Sequence, residues 1–510
     1  MISILRIPDS VQISCEEKEH DAKIRYVLSD DKLTVFVSAA TSHVTFLDLR
    51  WNIKIRGEVS VVGDAWERTY ADIGFAGLSA DRALPWYFAL RHKGGTDCVG
   101  VGVQPNALIY FTVDAQGVTA HCDLRSGTIG VELAGREIAV ADFMCAEYDK
   151  EPFYALCDFC KQMCPHPILP KEKIYGGNNW YYAYGKSSYQ EILSDCALQA
   201  ELAEGLENRP FMVIDDGWQV KHIQGPWTPN EKFGDMKKIA EEFKAMGVRP
   251  GIWFRPLRDE SESIPDEWRF KNRNQKEAEY LDPSHPEVLA HISATVKKMV
   301  GWGYELIKHD FSSFDVFGAW GFERKKHLSE GNWRFYDRSK TSAEIYKNFL
   351  KTILDATEGK AYIIGCNCIS HLTAGLSHIN RIGDDTSGKE WERTRSYGIN
   401  TLAFRLCQNN AFYVVDADCA GFKDDNIPFG LNKKWVELLA KSGTPMFVSA
   451  PAGAFTHEEK AFLKEMYRIA SLQKNVTAPV DYLYNATPAL WSIDGEICEF
   501  DWWNEKGTPR

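Results

Sequence analysis

Positive charge is in short supply in this 510-residue chain: 59 lysines and arginines face 71 aspartates and glutamates, a net charge of −12. That balance argues against polyanions, and so against nucleic acid, as partners. No segment approaches the roughly 18 uninterrupted apolar residues that a membrane-spanning helix needs. Residues 1–9 lack a basic stretch followed by a long apolar core and do not read as a signal peptide. These absences predict a cytoplasmic protein with no membrane partner, in which the thirteen cysteines are mostly free thiols. The sequons at Asn475 and Asn485 then carry no weight. Internal repeats and low-complexity tracts are missing, as are the HExxH and His-x-His groups of metal-dependent barrel hydrolases. Cys157, Cys160, Cys164 and His166 are a candidate tetrahedral zinc set, but no second CxxC closes it. Tyr154, Cys157, Cys160 or Met163, and Cys164 fall at helical spacing, which reads instead as the buried stripe of a linker helix.

What the chain has in quantity is apolar and aromatic mass, 44% hydrophobic with 16 tryptophans and 21 tyrosines, enough for a large core or for binding ring-shaped ligands. Its length predicts about two to four domains. Residues 1–165 show short alternating strands, best seen from Leu47 to Ile55, where every odd position is apolar. Turns at Gly63-Asp64, Gly94-Gly95 and Gly117 separate such strands, as in a β-sandwich, and Gly100-Val101-Gly102 reads as strand or turn. The proline-rich stretch Pro165-His166-Pro167-Ile168-Leu169-Pro170 marks a boundary.

From 170 to 455, strands ending at Trp180, Ile214, Phe254, Asp310, Cys366, Gly383, Val415 and Val448 alternate with amphipathic helices. The helical stripes include Met236, Ile239, Phe243 and Met246; Val288, Ile292, Val296 and Met299; and Ile345, Phe349 and Ile353. Eight such units predict a (β/α)8 TIM barrel. Residues 456–510 read as a last helix, with Phe462 and Met466 on one face, and short strands over 483–503. The expected fold is therefore multidomain: an N-terminal β-sandwich with a linker helix, a central barrel and a small C-terminal β appendage.

Barrel chemistry sits at the carboxyl ends of strands. Lys308 and Asp310 share parity at the end of the fourth strand and point to one place; an ammonium there favours the ionised acid that an attacking carboxylate must be. On those residues alone a strand-end salt bridge is the simpler reading. The second strand runs into Asp215-Asp216-Gly217-Trp218, whose paired carboxylates suit neighbouring sugar hydroxyls, with a turn cap or a calcium site as the plainer alternatives. Trp218 and Trp253 offer ring faces to a pyranose, or are core. Arg381, Gly383 and Asp385 share parity on the sixth strand, with Gly383 leaving room for a ligand. Two acids across an anomeric carbon are what glycoside hydrolysis requires.

Six segments in order carry a resemblance: Asn179-Trp180-Tyr181, Asp215-Asp216-Gly217-Trp218, Gly251-Ile252-Trp253, Ile307-Lys308-His309-Asp310, Gly365-Cys366, and Arg381-Ile382-Gly383-x-Asp385. Together they resemble the α-galactosidases of glycoside hydrolase family 36 and, more remotely, family 27. The resemblance implies Asp310 as nucleophile and Asp385 as acid/base of a retaining hydrolase acting on small α-galactosides through an aspartyl glycosyl-enzyme. It assigns Asp215 and Asp216 to O4 and O6 of galactose, Lys308 to ring hydroxyls, Cys366 and Arg381 to the O2 side, and Trp180, Tyr181 and Trp253 to the walls. No metal or organic cofactor is implied, and a homo-oligomer is compatible with it. The segment from Cys366 to His371 does not distinguish galactose from N-acetylgalactosamine. A raffinose-synthase-like transferase and a non-catalytic carbohydrate-binding protein are the other readings. His309 stands where the family often has tryptophan, but its parity turns it away from Asp310, and Asp384 is a rival to Asp385.

Overall fold

The computed structural model describes residues 2–271, 280–423 and 427–503. Between Ser10 and Tyr148 it has two six-stranded antiparallel sheets. The strand His43–Asn52 lies between Ser10–Cys15 and Gly117–Asp123, and its alternation sends Leu47, Leu49 and Trp51 inward with no exposed surface. Trp51 meets Phe143 of the other sheet at 5.8 Å between ring centroids, and Phe111 meets Phe88 at 5.7 Å. Each such aromatic, fully buried, contributes roughly 1.5–3 kcal/mol, so the inward-facing alternation sets the register. Gly117 is required at its turn: its φ is +149, and a Cβ there would stand 2.0 Å from the Trp51 carbonyl oxygen.

The linker helix is Pro152–Met163, started by a proline in its first turn. It buries Phe153, Leu156, Phe159, Cys160 and Met163, whereas Tyr154 is 51% exposed and is not part of the stripe. Phe153 leads its neighbours inward and rotates the apolar face away from Tyr154. All thirteen cysteines are free, and among the described residues the thiols and His166 do not converge on a common point.

A parallel, TIM-like sheet follows. We label its strands β1 (Tyr175–Asn178), β2 (Phe211–Ile214), β3 (Arg249–Phe254), β4 (Leu306–His309), β5 (Tyr362–Gly365), β6 (Ile379–Arg381), β7 (Val414–Asp416), β8 (Cys419–Gly421) and β9 (Met446–Ser449). The ladder runs β7-β6-β5-β4-β3-β2-β1-β9-β8. Runs such as Phe211-Met212-Val213-Ile214 are buried throughout, because a parallel sheet is covered on both faces. The predicted stripes pack on it: Val288, Ile292, Val296 and Met299 of helix Pro286–Gly301 are each at most 1% exposed. Helix Ser342–Ala356 starts from a reciprocal cap in which Thr341 Oγ1 accepts from Glu344 N at 3.1 Å and Thr341 N donates to Glu344 Oε2 at 2.9 Å.

Two expectations are corrected here. The first strand stops at Asn178, and Trp180–Ala183 is a helical turn, because Asn178 Oδ1 accepts from Trp180 N at 2.8 Å and folds the chain over. The single strand expected at Val415 is two segments: β7 pairs only with β6 and β8 only with β9. The turn between them is made at Asp418, a non-glycine residue at φ +80.

Helix His457–Leu472 leads to a three-stranded antiparallel sheet, Thr477–Pro479, Leu490–Ile493 and Glu496–Glu499, which begins before the expected 483. No described helix is long and apolar enough to cross a membrane. The N-terminal part reaches the parallel sheet through Thr69, which donates from N to Ile382 O at 2.9 Å and accepts at O from Asp384 N at 3.1 Å. That pairing delivers Arg68 to the end of β6.

Candidate active site

The carboxyl ends of the strands open on a cavity of about 700 Å³ lined by Trp180, Tyr181, Asp215, Asp216, Trp253, Lys308, Asp310, Cys366, Arg381 and Asp385, all ten of the predicted site residues. The same cavity also takes Arg68, Tyr70 and Asp72 from the N-terminal part, Phe311, Trp320 and Phe322 from beyond β4, Asn367 from beyond β5, and Asp384, Arg393 and Tyr397 from beyond β6.

Asp310 follows β4, and Phe311 next to it is held at φ +57. A non-glycine residue in that region costs about 1–3 kcal/mol, and the turn brings Phe311 N back onto Asp310 Oδ1 at 2.7 Å. Trp253 Nε1 donates to Oδ2 at 3.1 Å. Turned so that its nitrogen faces Asp310, the Asn367 amide donates to Oδ1 at 2.5 Å and accepts from Arg68 Nε at 2.9 Å. The nucleophile candidate is thus oriented by neutral donors, and the expected pairing with Lys308 is corrected: Lys308 Nζ lies 2.7 Å from Asp215 Oδ2. The ammonium reaches across β3 to the end of β2, where the Asp215 carboxylate is buried with it. Burial works against the Lys308 charge, but Asp215 above all, with Asp310, outweighs it and holds the ammonium protonated.

Asp215 also accepts from Asn178 Nδ2 at 2.7 Å and from Asp216 N at 3.0 Å. Asp216 accepts from Gln219 Nε2 at 2.5 Å and Ile223 N at 2.9 Å, with His222 Nδ1 2.7 Å from its other oxygen. Burial raises its pKa against those donors, and Asp215 adds to the rise. Trp253 presents its indole N–H to Asp310, so its edge and not its face is the working part. Trp218 is fully buried, donates to Trp253 O at 2.9 Å, and does not line the cavity; it is core.

Asp385 is surrounded differently. Its Oδ1 is 3.1 Å from Arg381 Nη2 and 3.2 Å from Arg68 Nη1, and its side chain is 37% exposed to the cavity. Burial would raise its pKa, but Arg68, Arg381, Lys308 and Arg393 together bring it down to about 2. Asp384 lies 3.4 Å from Arg68 Nη2 and 2.5 Å from Arg393 Nη2. Arg381 has a further partner, Asp418, at 2.7 Å. Gly383 does not leave room for a ligand: a Cβ there would stand 2.9 Å from Thr401 Oγ1, and the residue pairs with Thr69. Cys366 Sγ is 4.0 Å from Arg381 Nη1, and burial, with Asp310, pushes its thiol well above the ordinary range. Beyond Asn367 the segment leaves the cavity, since Ser370 and His371 are buried against Ala65 and Val101. His309 is turned away as its parity predicts, with Nδ1 2.8 Å from Ser312 Oγ, and burial brings its pKa down to about 4.

Sequence reasoning missed Arg68, Arg393 and Asp418, and placed Asn367 at a strand end without a role. A signal existed for two of them: Trp66-Glu67-Arg68 sets two charges among buried aromatics, and Asp416-Ala417-Asp418 is a strand-end acid pair of the kind sought on other strands.

Fold and site together define a TIM-like α/β protein whose strand ends gather carboxylates, arginines and one lysine in one cavity. No family model and no curated protein matches the sequence. Among solved structures, the α-galactosidase TtGalA from Thermus thermophilus, in complex with p-nitrophenyl α-D-galactopyranoside, is similar at a TM-score of 0.63 and 16% identity over 94% of this chain and 99% of that one. The family GH36 α-galactosidase AgaA from Geobacillus stearothermophilus is similar at 0.66 and 13% identity, covering 95% and 79%. An α-galactosidase from Lactobacillus brevis follows at 0.58 and 12%, covering 93% and 72%. At these identities the likeness is one of fold.

Proposed function

We propose that the chain is a retaining α-galactosidase of the family 36 kind, releasing terminal α-galactosyl residues from small oligosaccharides. In this reading residues 1–165 are a β-sandwich with its linker helix, residues 170–455 a closed (β/α)8 barrel, and residues 456–510 the last barrel helix and a small C-terminal β region. Closure is supported by the two edge segments of the parallel ladder, β7 and β8, being consecutive in the chain. The observation that carries the function is the pair of unlike carboxylates on one cavity, Asp310 among neutral donors and Asp385 among arginines, in a fold shared with α-galactosidases.

Asp310 attacks C1, the bond from C1 to the leaving oxygen breaks with its electron pair going to that oxygen, and Asp385 supplies the proton. Asp385 then takes a proton from water as the water oxygen bonds to C1 and the ester to Asp310 opens. Starting ionised, Asp385 is ready for this second role. For the first it must take up a proton, and neither adjacent arginine is then stranded: Arg68 keeps Asp384 and Arg381 keeps Asp418. Lys308, Asp215 and Asp216 hold the sugar hydroxyls, and Asp310 needs no metal to be oriented.

A panel of nitrophenyl α-glycosides of galactose, N-acetylgalactosamine and glucose, with and without sugar acceptors, tests the reading in wild type and D310A. We expect α-galactoside turnover with free galactose released and a loss of at least ~10⁴-fold in D310A. Turnover of only N-acetylgalactosaminide, product found only on the acceptor, or a fully active D310A would each overturn it.

A further inference from the structure

Asp418 touches neither the cavity nor any solvent-facing group, yet it lies under three of the residues that do the work. Three donors converge on its Oδ2: Tyr181 Oη at 2.5 Å, Arg381 Nη2 at 2.7 Å and Thr386 N at 2.7 Å, while the Thr386 hydroxyl beside them donates to Cys419 O at 2.6 Å. Tyr181 comes from the turn after β1, Arg381 from β6, and Thr386 is the residue after Asp385. One carboxylate therefore ties the first strand's aromatic wall, the guanidinium beside the acid/base and the backbone that carries it.

The chain accepts a cost to place it there. Asp418 sits at φ +80, where glycine is at ease and an aspartate costs about 1–2 kcal/mol. It occupies the break that splits one expected strand into β7 and β8, and its own N donates to Asp416 Oδ1 at 2.9 Å. A strained, buried residue whose Oδ2 is held by Tyr181, Arg381 and Thr386 is over-determined by its surroundings, which is where strain and function coincide.

We propose that Asp418 is a positioning residue that shares the charge of Arg381 and so permits Asp385 to take up the proton it must deliver. The groups facing Asp385 are Arg68, Arg381, Lys308 and Arg393 as cations, Asp384 as anion, and Tyr181. Of the two arginines in contact with it, Arg68 is counterbalanced by Asp384 and Arg381 by Asp418. Without the Asp418 charge, Arg381 has only Asp385 to lean on among the acids it pairs with, and the acid/base is pinned as an ion. Its role as base is spared, because an ion is what the second step needs.

The inference rests on the double displacement proposed above, and its test separates the two. Asn is the residue after glycine best suited to the left-handed region, so D418N keeps backbone and shape while removing the charge; D418G relaxes the backbone and removes the carboxylate. kcat/KM is measured for methyl α-galactoside, whose leaving group needs a proton, and for α-galactosyl fluoride, whose leaving group does not. We expect both variants to lose about 10²-fold on the methyl galactoside and less than about threefold on the fluoride, the range that general acid catalysis supplies. The basic limb of the methyl galactoside profile moves about two pH units, the hundredfold in protonated fraction that this loss requires, to lower pH. Equal losses on both substrates, an unmoved limb, or no loss in D418N overturns the inference. A wild type inactive on both substrates, or an active D310A, removes the proposed function and this inference with it. A dead D310A beside a wild-type-like D418N removes only this inference.

Discussion

The two corners of the cavity hold their carboxylates by opposite means. At Asp310 the donors are an indole, a backbone amide and a side-chain amide, all neutral; at Asp385 they are guanidinium groups. Neutral donors fix where a carboxylate points and share its charge, which suits an atom that must approach carbon along one line. Cations set whether a carboxylate carries a proton, which suits a group that must change protonation twice per turnover. Lys308, which by its position on β4 ought to serve Asp310, is given to Asp215 instead, and so leaves the corner of the proposed nucleophile without an ion pair.

The contrast is broken most severely at Asp385. D385N keeps the shape and loses both proton transfers. We expect kcat/KM on methyl α-galactoside to fall by about 10²–10⁴-fold, against a much smaller fall on α-galactosyl fluoride in the first turnover. Added azide, a nucleophile that needs no base, should then restore turnover on the fluoride. If azide has no effect, or if D384N shows this behaviour in place of D385N, the two acids at the end of β6 have been assigned in the wrong order.

Much of this arrangement was legible from residue order, and the remainder was not for a definite reason. Strand ends are local: an apolar run followed by polar residues brings Asp310, Asp385 and Asp215 to the cavity with no knowledge of neighbours, and parity turns His309 away, although Asp216 and Asp384, of opposite parity to their neighbours, line the cavity too. Parity gives a direction without a destination, however. It sends Lys308 into the cavity without saying that Asp215 is closer than Asp310, and it sends Gly383 toward open space that Thr401 fills. Arg68 comes from more than three hundred residues before Asp385 through a single strand-like pairing at Thr69, and no periodicity in residues 64–72 announces it. Asp418 depends on a break in a strand that its sequence, Val414-Val415-Asp416, reads as continuous. The nucleophile corner is built from one turn and the two strands that flank β4, the acid/base corner from parts more than three hundred residues apart, and legibility follows that difference.

Arg68 is the point at which the corners touch, since it contacts Asp385 directly and Asp310 through Asn367. Removing a cation beside a carboxylate disfavours its ionised form, so R68M should raise the Asp385 pKa from about 2 and carry the basic limb of the methyl galactoside profile to higher pH. We expect a shift of about one pH unit, roughly tenfold in protonated fraction, with R68K nearer to wild type because it keeps the charge. The direction is opposite to that expected for D418N. A limb that moves down in R68M would mean that Arg68 acts on the site through folding alone.

At the nucleophile corner the donor to break is the Trp253 indole. W253F removes the indole donor to Asp310 Oδ2 and leaves Phe311 N and the Asn367 amide on Oδ1. A hydrogen bond to a charged group is worth about 1.5–3 kcal/mol, which sets a loss of roughly 10- to 150-fold in kcat/KM. Because the bond orients an ion and does not protonate it, methyl galactoside and galactosyl fluoride should lose equally, and neither limb of the pH profile should move. Phe retains ring mass against Trp227, which packs on Trp253 at 5.9 Å, so the protein should stay folded. An unequal loss on the two substrates would show that the indole reaches the proton-transfer step as well. The separation of roles between the corners would then be a gradient across the cavity and not a division.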